Sequence, residues 1–294
     1  MCAMRRLIAL TAAPLLLAAV ACAPAEDTDD TATDPAASAS PSADACAPEN
    51  LPTKMDGMLM IGTDSPAYEP WFVDNDPTNG KGYESAVAYA VAEELGFAPE
   101  DVSWMKVRFN NSFKPGPKEF DFDINQISIT PERAEVVDFS DGYYSAAQAV
   151  IALEGSAGAE ATSLQELSSL KLGAQTGTTS LTAIRDIIQP AEDPLVFTDT
   201  NAAKQALNNG QVDAILADLP TAFYISAVEI PDSVIVGQFQ PATGEQEEFG
   251  MLFEKDSPLV PCVNAALATL REDGTLAALE DEWLSQVVDV PVLD

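Results

Sequence analysis

The segment from Asp121 to Tyr144, DFDINQISITPERAEVVDFSDGYY, sets one arginine, Arg133, just after a short apolar run of Phe122, Ile124 and Ile127. The hydroxyls of Ser128 and Thr130 lie beside it, and Pro131 opens a predicted short helix. A planar guanidinium next to hydroxyls and a helix N-terminus is a receptor for a carboxylate. The fork supplies two parallel hydrogen bonds, and the helix end adds amide donors and partial positive charge. The other use of such an arginine is a surface salt bridge to Glu132 or Glu135. Farther along, GAQTGTTS places Thr178 and Thr179 at the start of a helix that follows a strand. Hydroxyls and unpaired amides there either take an anion or cap the helix, and the two roles are compatible.

Composition removes whole classes of chemistry. The 294 residues include no histidine, which excludes Ser-His and Cys-His nucleophiles, histidine-containing metal sites and imidazole acid–base work. The N-terminus reads as a secretory signal over residues 1–21. Arg5 and Arg6 form a basic start and Leu7 to Val20 an apolar stretch shorter than the roughly 20 residues a membrane span needs. Without that signal, 12 Lys and Arg face 47 Asp and Glu, a net charge of −35. Nucleic acid is therefore not an expected partner. The stretch AAVAC ending at Cys22 resembles a bacterial lipobox, with Ala19 where leucine is commoner. Diacylation of Cys22 is expected; the alternative is ordinary cleavage at an A-x-A-like site. Residues 23–45 have no aromatic and no basic residue and too little apolar bulk to offset ordering, so they read as a tether. With Cys2 in the signal and Cys22 lipidated, Cys46 and Cys262 remain, and a disulfide in an oxidising compartment is expected rather than two separate buried thiols.

The elements that must position these groups alternate between strand and helix, which argues an α/β fold. Leu59–Thr63, Val102–Val107 and Phe122–Ile124 read as strands, and Ser85–Leu95 as a helix stopped by Gly96. After Tyr144 the strand AQAVIAL leaves this unit. A second one follows: a capped helix at Thr162 or Ser163 with Glu166, the strands KLGAQ, PLVFT and DAILA, and helices ended by Gly210 or opened by Pro220. FGMLFEK returns as a strand, and a helix pair broken at Gly274 follows.

The Asp121–Tyr144 segment resembles the central motif of the amino-acid-binding proteins of ABC importers, the polar amino-acid branch of the bilobed solute-binding proteins. The likeness runs from about Leu59 to Leu284. It implies a bilobed, periplasmic-binding-protein-like (type II) α/β fold joined by two hinge strands. Residues 22–54 are then the tether and the approach to the domain, 55–147 plus 247–294 lobe 1, and 148–246 lobe 2. The hinge crossings fall near Tyr143–Ala147 and Gln246–Gly250.

The resemblance also implies roles. The arginine of TPER, Arg133, grips the α-carboxylate of a bound amino acid, and Ser128 contacts the ligand backbone. Gln126 stands where relatives often carry glycine, which narrows the pocket or adds an amide contact. Gln175 and Thr178 map onto ligand contacts in lobe 2. Asp218, in ILADLPTAFY, is the expected partner of the ammonium; capping the Pro220 helix is its alternative use. Asp64 and Tyr68, in IGTDSPAYEPWF, and Phe109, in VRFNNSF, map onto the side-chain pocket, with core packing the alternative for Phe109. One extra residue separates Asp64 from Tyr68, and NNSFKPGPKEF is rich enough in Pro and Gly that a loop is expected to replace the usual helix.

The implied function is capture of a free amino acid, polar or cationic favoured, and delivery to an ABC transporter permease with its ATPase. The chain would work as a monomer at the outer face of the membrane, held there by its lipid anchor. No cofactor or metal is expected. A sensing module for a signalling partner and a dehydratase-like enzyme using carboxylates such as Asp64 or Asp218 are the competing functions.

Overall fold

Two sets of strands account for the alternating pattern. The computed structural model describes residues 43–240, 246–284 and 290–294. The predicted signal, Cys22 and the tether as far as residue 42 lie outside the described residues. In the first set, Leu59–Thr63 (β1) is buried along nearly its whole length, as parallel strands covered on both faces are. It pairs in parallel with Val102–Lys106 (β2) and Phe122–Asp123 (β3). Asp138–Phe139 (β4) and Leu252–Phe253 (β12) complete a five-stranded sheet in the order β2-β1-β3-β12-β4. Helices Tyr83–Glu94 (α1), Val260–Glu272 (α8) and Thr275–Leu284 (α9) share one core with it, centred on Trp71, Phe72, Tyr83 and Phe122.

Two short helices hang from this sheet. Phe109–Ser112 (α2) is a single turn that gives way to irregular chain at the Pro and Gly residues. Pro131–Ala134 (α3) is the helix that Pro131 opens, with Thr130 as its N-cap. Cys46 and Cys262 form a disulfide with Cα atoms 5.4 Å apart, tying the entering chain to α8.

Gln148–Leu153 (β6), Leu172–Gln175 (β7), Leu195–Phe197 (β8), Ala214–Asp218 (β9) and Ser233–Phe239 (β10) form the second sheet, in the order β10-β6-β9-β7-β8. β10 has no counterpart in the sequence reading, although SVIVGQF carries the composition of a strand. Leu164–Leu167 (α4), Thr179–Ala183 (α5), Thr200–Asn208 (α6) and Leu219–Tyr224 (α7) flank it. Ser163 caps α4, while Glu166 reaches back to the amide of Thr162.

Between the sheets, Tyr144–Ala146 (β5) pairs antiparallel with Glu247–Phe249 (β11), so both chain crossings run side by side. FGMLFEK is thus two strands, β11 and β12, rather than one. One boundary needs correction. The sequence assigns residues 290–294 to the first lobe, whereas they lie on the second sheet. Val292 bridges Gln238, Leu293 donates to the Gln238 carbonyl at 2.9 Å, and Leu293 fills the space above Gly237, where a Cβ would come within 2.5 Å of it. The tail is short and apolar, and the gap over a glycine is what buries it.

Candidate functional site

A cavity lies between the two sheets. Eight of the nine predicted ligand residues line it: Asp64, Tyr68, Phe109, Gln126, Ser128, Gln175, Thr178 and Asp218. Arg133 is not among the lining residues. Thr179, read from the sequence as part of the same helix start as Thr178, lines it too; Asn125, Gln148 and Thr221 also line it and were not singled out by sequence. The cavity measures about 70 Å³. One water takes about 10–15 Å³ on that scale, so a ligand with a long side chain enters only as the lobes part.

Arg133 stands one layer behind the wall. Its Nη1 donates to the Ser128 carbonyl at 2.6 Å and its Nη2 to the Gly177 carbonyl at 2.9 Å. The guanidinium lies 4.7 Å from the Phe113 ring centroid and 5.7 Å from that of Phe109. Burial lowers its pKa to about 10, against the opposing pull of Glu247 and Glu132, so it remains a cation at neutral pH. The bond to Gly177 ties α3 to the β7–α5 loop. Gly177 has a positive φ of 78°, and a Cβ there would strike the side chain of Asn110; glycine allows both the turn and the close approach.

Glu247 organises the centre of the site. Its Oε1 accepts from the Ser128 hydroxyl at 2.5 Å and the Thr179 hydroxyl at 2.6 Å, and its Oε2 accepts from Gln148 Nε2 at 2.8 Å. These bonds join a residue beside β3, the start of α5, the hinge strand β11 and the first residue of β6. Trp71 makes a second link across the cavity, donating from Nε1 to Thr221 Oγ1 at 2.8 Å.

Asp218 caps a helix and lines the cavity. Its Oδ1 accepts the Thr221 amide and its Oδ2 the Thr221 hydroxyl, each at 2.9 Å, so it caps α7 while lining the cavity. Burial pushes its pKa up to about 6, although the Thr221 bonds pull the other way. Thr178 likewise caps α5 through the Leu181 amide at 3.1 Å and lines the cavity. Gln175 Oε1 accepts from the Thr200 hydroxyl at 2.9 Å.

Gln126 has a φ of 48°, in the left-handed region that glycine enters freely. Glu84 holds it there. One carboxylate oxygen accepts the Gln126 amide at 2.6 Å and the Tyr143 hydroxyl, and the other accepts Gln126 Nε2. Glu84 is fully buried, and desolvation raises its pKa to about 7. Asp64 accepts the Ser65 amide at 2.6 Å and the Phe109 amide at 3.0 Å, fixing the start of α2. The buried Tyr68 hydroxyl has its pKa raised to about 12 by desolvation first and Asp199 next, with the Asn201 backbone pulling the other way; it is a neutral donor at any physiological pH. Among the described residues there is no cluster of three or more His, Cys, Asp or Glu that could hold a metal, and no helix is long and apolar enough to cross a membrane.

Comparison with known proteins gives one answer. The profile of the bacterial extracellular solute-binding proteins, family 3, matches residues 59–286. The L-cystine-binding protein TcyJ of Escherichia coli K12 is 28% identical over 77% of this chain and 82% of its own. Among solved structures, the arginine-, lysine-, histidine-binding protein ArtJ of Geobacillus stearothermophilus superposes with a TM-score of 0.66 at 25% identity, covering 80% of this chain and 96% of its own. The ancestral amino acid-binding protein AncCDT-1, a precursor of cyclohexadienyl dehydratase, superposes with a TM-score of 0.64 at 30% identity, over 77% of this chain and 95% of its own.

Proposed function

Because this chain belongs to the bacterial extracellular solute-binding proteins, family 3, we propose that it captures a free amino acid between its two lobes and delivers it to the permease of an ABC transporter. The lobes are residues 55–147 with 247–284, and 148–246 with the tail 290–294. The observation that carries the reading is the pairing of opposite charges across one cavity, Asp218 on the wall and Arg133 just behind Ser128. An amino acid brings an ammonium and a carboxylate, and each needs a partner once desolvated. Asp218 meets the ammonium. The carboxylate goes to Arg133 and the first-turn amides of α5, after small movements of Ser128 and the Gly177 loop. Ligand bridges the lobes, and the transporter recognises the closed form.

A polar or cationic side chain fits the pocket best. Asp64 and Asp218 line the cavity, Glu84 and Glu247 stand one bond behind it, and among the described residues no lysine or arginine lines it. In this reading Cys22 is lipidated and holds the monomeric protein at the outer face of the membrane.

A thermal-shift screen of the twenty amino acids with ornithine, citrulline and cystine tests the function. Ligand at 100 times its dissociation constant adds about 2.7 kcal/mol, which for a domain of this size raises the melting temperature by about 5–10 °C. No shift with any of them contradicts the proposal.

A further inference from the structure

Gln148 lines the cavity and is 1% exposed. Its amide nitrogen donates to Glu247 Oε2 at 2.8 Å and to Thr179 Oγ1 at 3.2 Å. Its Oε1 is buried without a hydrogen-bond partner. An unmet buried acceptor costs free energy, and a native site retains one when something else supplies the donor.

The protons around it can be counted. A hydroxyl has one proton to give. The Ser128 and Thr179 hydroxyls both lie close to Glu247 Oε1, at 2.5 and 2.6 Å, and an ionised carboxylate only accepts. Both protons are therefore spent on Glu247, and Thr179 meets the Gln148 amide as an acceptor. Turning the Gln148 amide over would set its oxygen against the carboxylate of Glu247, so its orientation is determined. The side chains that line this end of the cavity carry acceptors: the unmet Gln148 Oε1 and the remaining lone pairs of Ser128, Thr179 and Asp218. Gln148 and Asp218 are also direct cross-strand partners on β6 and β9, and such side chains project from the same face about 5 Å apart.

We propose that Gln148 is a ligand-contacting residue whose side-chain oxygen shares the ammonium of the bound amino acid with Asp218. Glu247 is the positioning residue that turns that oxygen toward the ligand. The inference rests on the amino-acid-binding reading above and adds to it: this end of the cavity is an ammonium cradle, and the hydroxyls of Ser128 and Thr179 do not donate to the carboxylate. A primary ammonium, with three N–H donors, suits it better than an N-alkylated or N-acylated amine.

Titration calorimetry on wild type, Gln148→Met and Glu247→Gln tests this, with L-arginine and L-glutamine each compared with its des-amino analogue. Methionine keeps the length of glutamine and removes the acceptor. Gln148→Met is expected to weaken binding of the two amino acids by about 10- to 100-fold, the worth of a hydrogen bond to a charged group, and to leave the des-amino analogues unchanged. Glu247→Gln frees the Gln148 amide to turn over and is expected to reduce the preference for amino acid over des-amino analogue in the same direction. It carries the test if Gln148→Met fails to fold. Equal loss for the amino acid and its des-amino analogue overturns the inference, as does wild-type affinity in Gln148→Met. Failure of wild type to bind any of the twenty amino acids is read in the thermal-shift screen and counts against the amino-acid reading itself.

Discussion

Asp218→Asn is expected to lower amino-acid affinity by about 100-fold or more. Removing one member of a desolvated, hydrogen-bonded charge pair costs about 2–5 kcal/mol, and tenfold in affinity corresponds to about 1.4 kcal/mol. The fold should survive, because asparagine caps a helix about as well as aspartate and can still accept the Thr221 amide that Asp218 now holds at 2.9 Å. The same residue sets a pH dependence. With the Asp218 pKa raised to about 6 by burial, wild-type affinity should weaken as pH falls through 6 and the carboxylate takes a proton; the asparagine variant should be flat there.

Stability without added amino acid runs the opposite way. Asp218 at about 6, Glu84 at about 7 and Asp123 at about 8 are all raised above the ordinary carboxylate range, with desolvation the largest cause for each. The folded state then binds more protons than the unfolded state between about pH 4 and 8, so stability is greatest at the acid end and falls as pH rises through these values. Thermal unfolding between pH 5 and 8 checks both points. Asp218→Asn should soften the fall near pH 6, and a wild-type melting temperature that climbs steadily over this range would count against acids whose burial outweighs their hydrogen bonds.

Loss of the Cys46–Cys262 bridge is expected to cost about 5 kcal/mol on a chain-entropy account, since the two cysteines are 216 residues apart. For a domain of this size that lowers the melting temperature by about 10 °C or more. Cys262 sits in the main core beside Val263 and Ala266 on α8, away from the cavity. A Cys46→Ser, Cys262→Ser double variant should therefore bind amino acid as wild type does while melting earlier. A matched melting temperature with and without reductant would show that the bridge contributes little.

Much of this site is legible in sequence because family-like motifs mark it: ISITPER, the TGTTS turn and ADLPT each bring a predicted residue to the cavity or just behind it. The motifs do not say which acceptors an arginine finds. The carbonyls that hold Arg133 come from Ser128 and from Gly177, 44 residues away. Glu247 was not legible at all. It adjoins Glu248, and only the pleat of β11, buried–exposed–buried, distinguishes the organising carboxylate from a solvated one. Gln148 lay hidden inside an apolar run that reads as a core strand. Gln126 stood out as a substitution for glycine, but the Glu84 clamp that holds its left-handed backbone comes from 42 residues earlier. Residues 290–294 were assigned to the first lobe because their partner, the groove above Gly237, exists only once β10 is on the sheet.

In the proposed function one cavity holds both charges of an amino acid. Titration calorimetry of the protein with L-arginine, L-lysine, L-glutamine and L-cystine tests it most directly, each beside its decarboxylated and its N-acetylated derivative. Saturable one-to-one binding of at least one of the four is expected, with no measurable binding of either of its derivatives at the same concentrations. Derivatives that bind as tightly as the parent amino acid would contradict it.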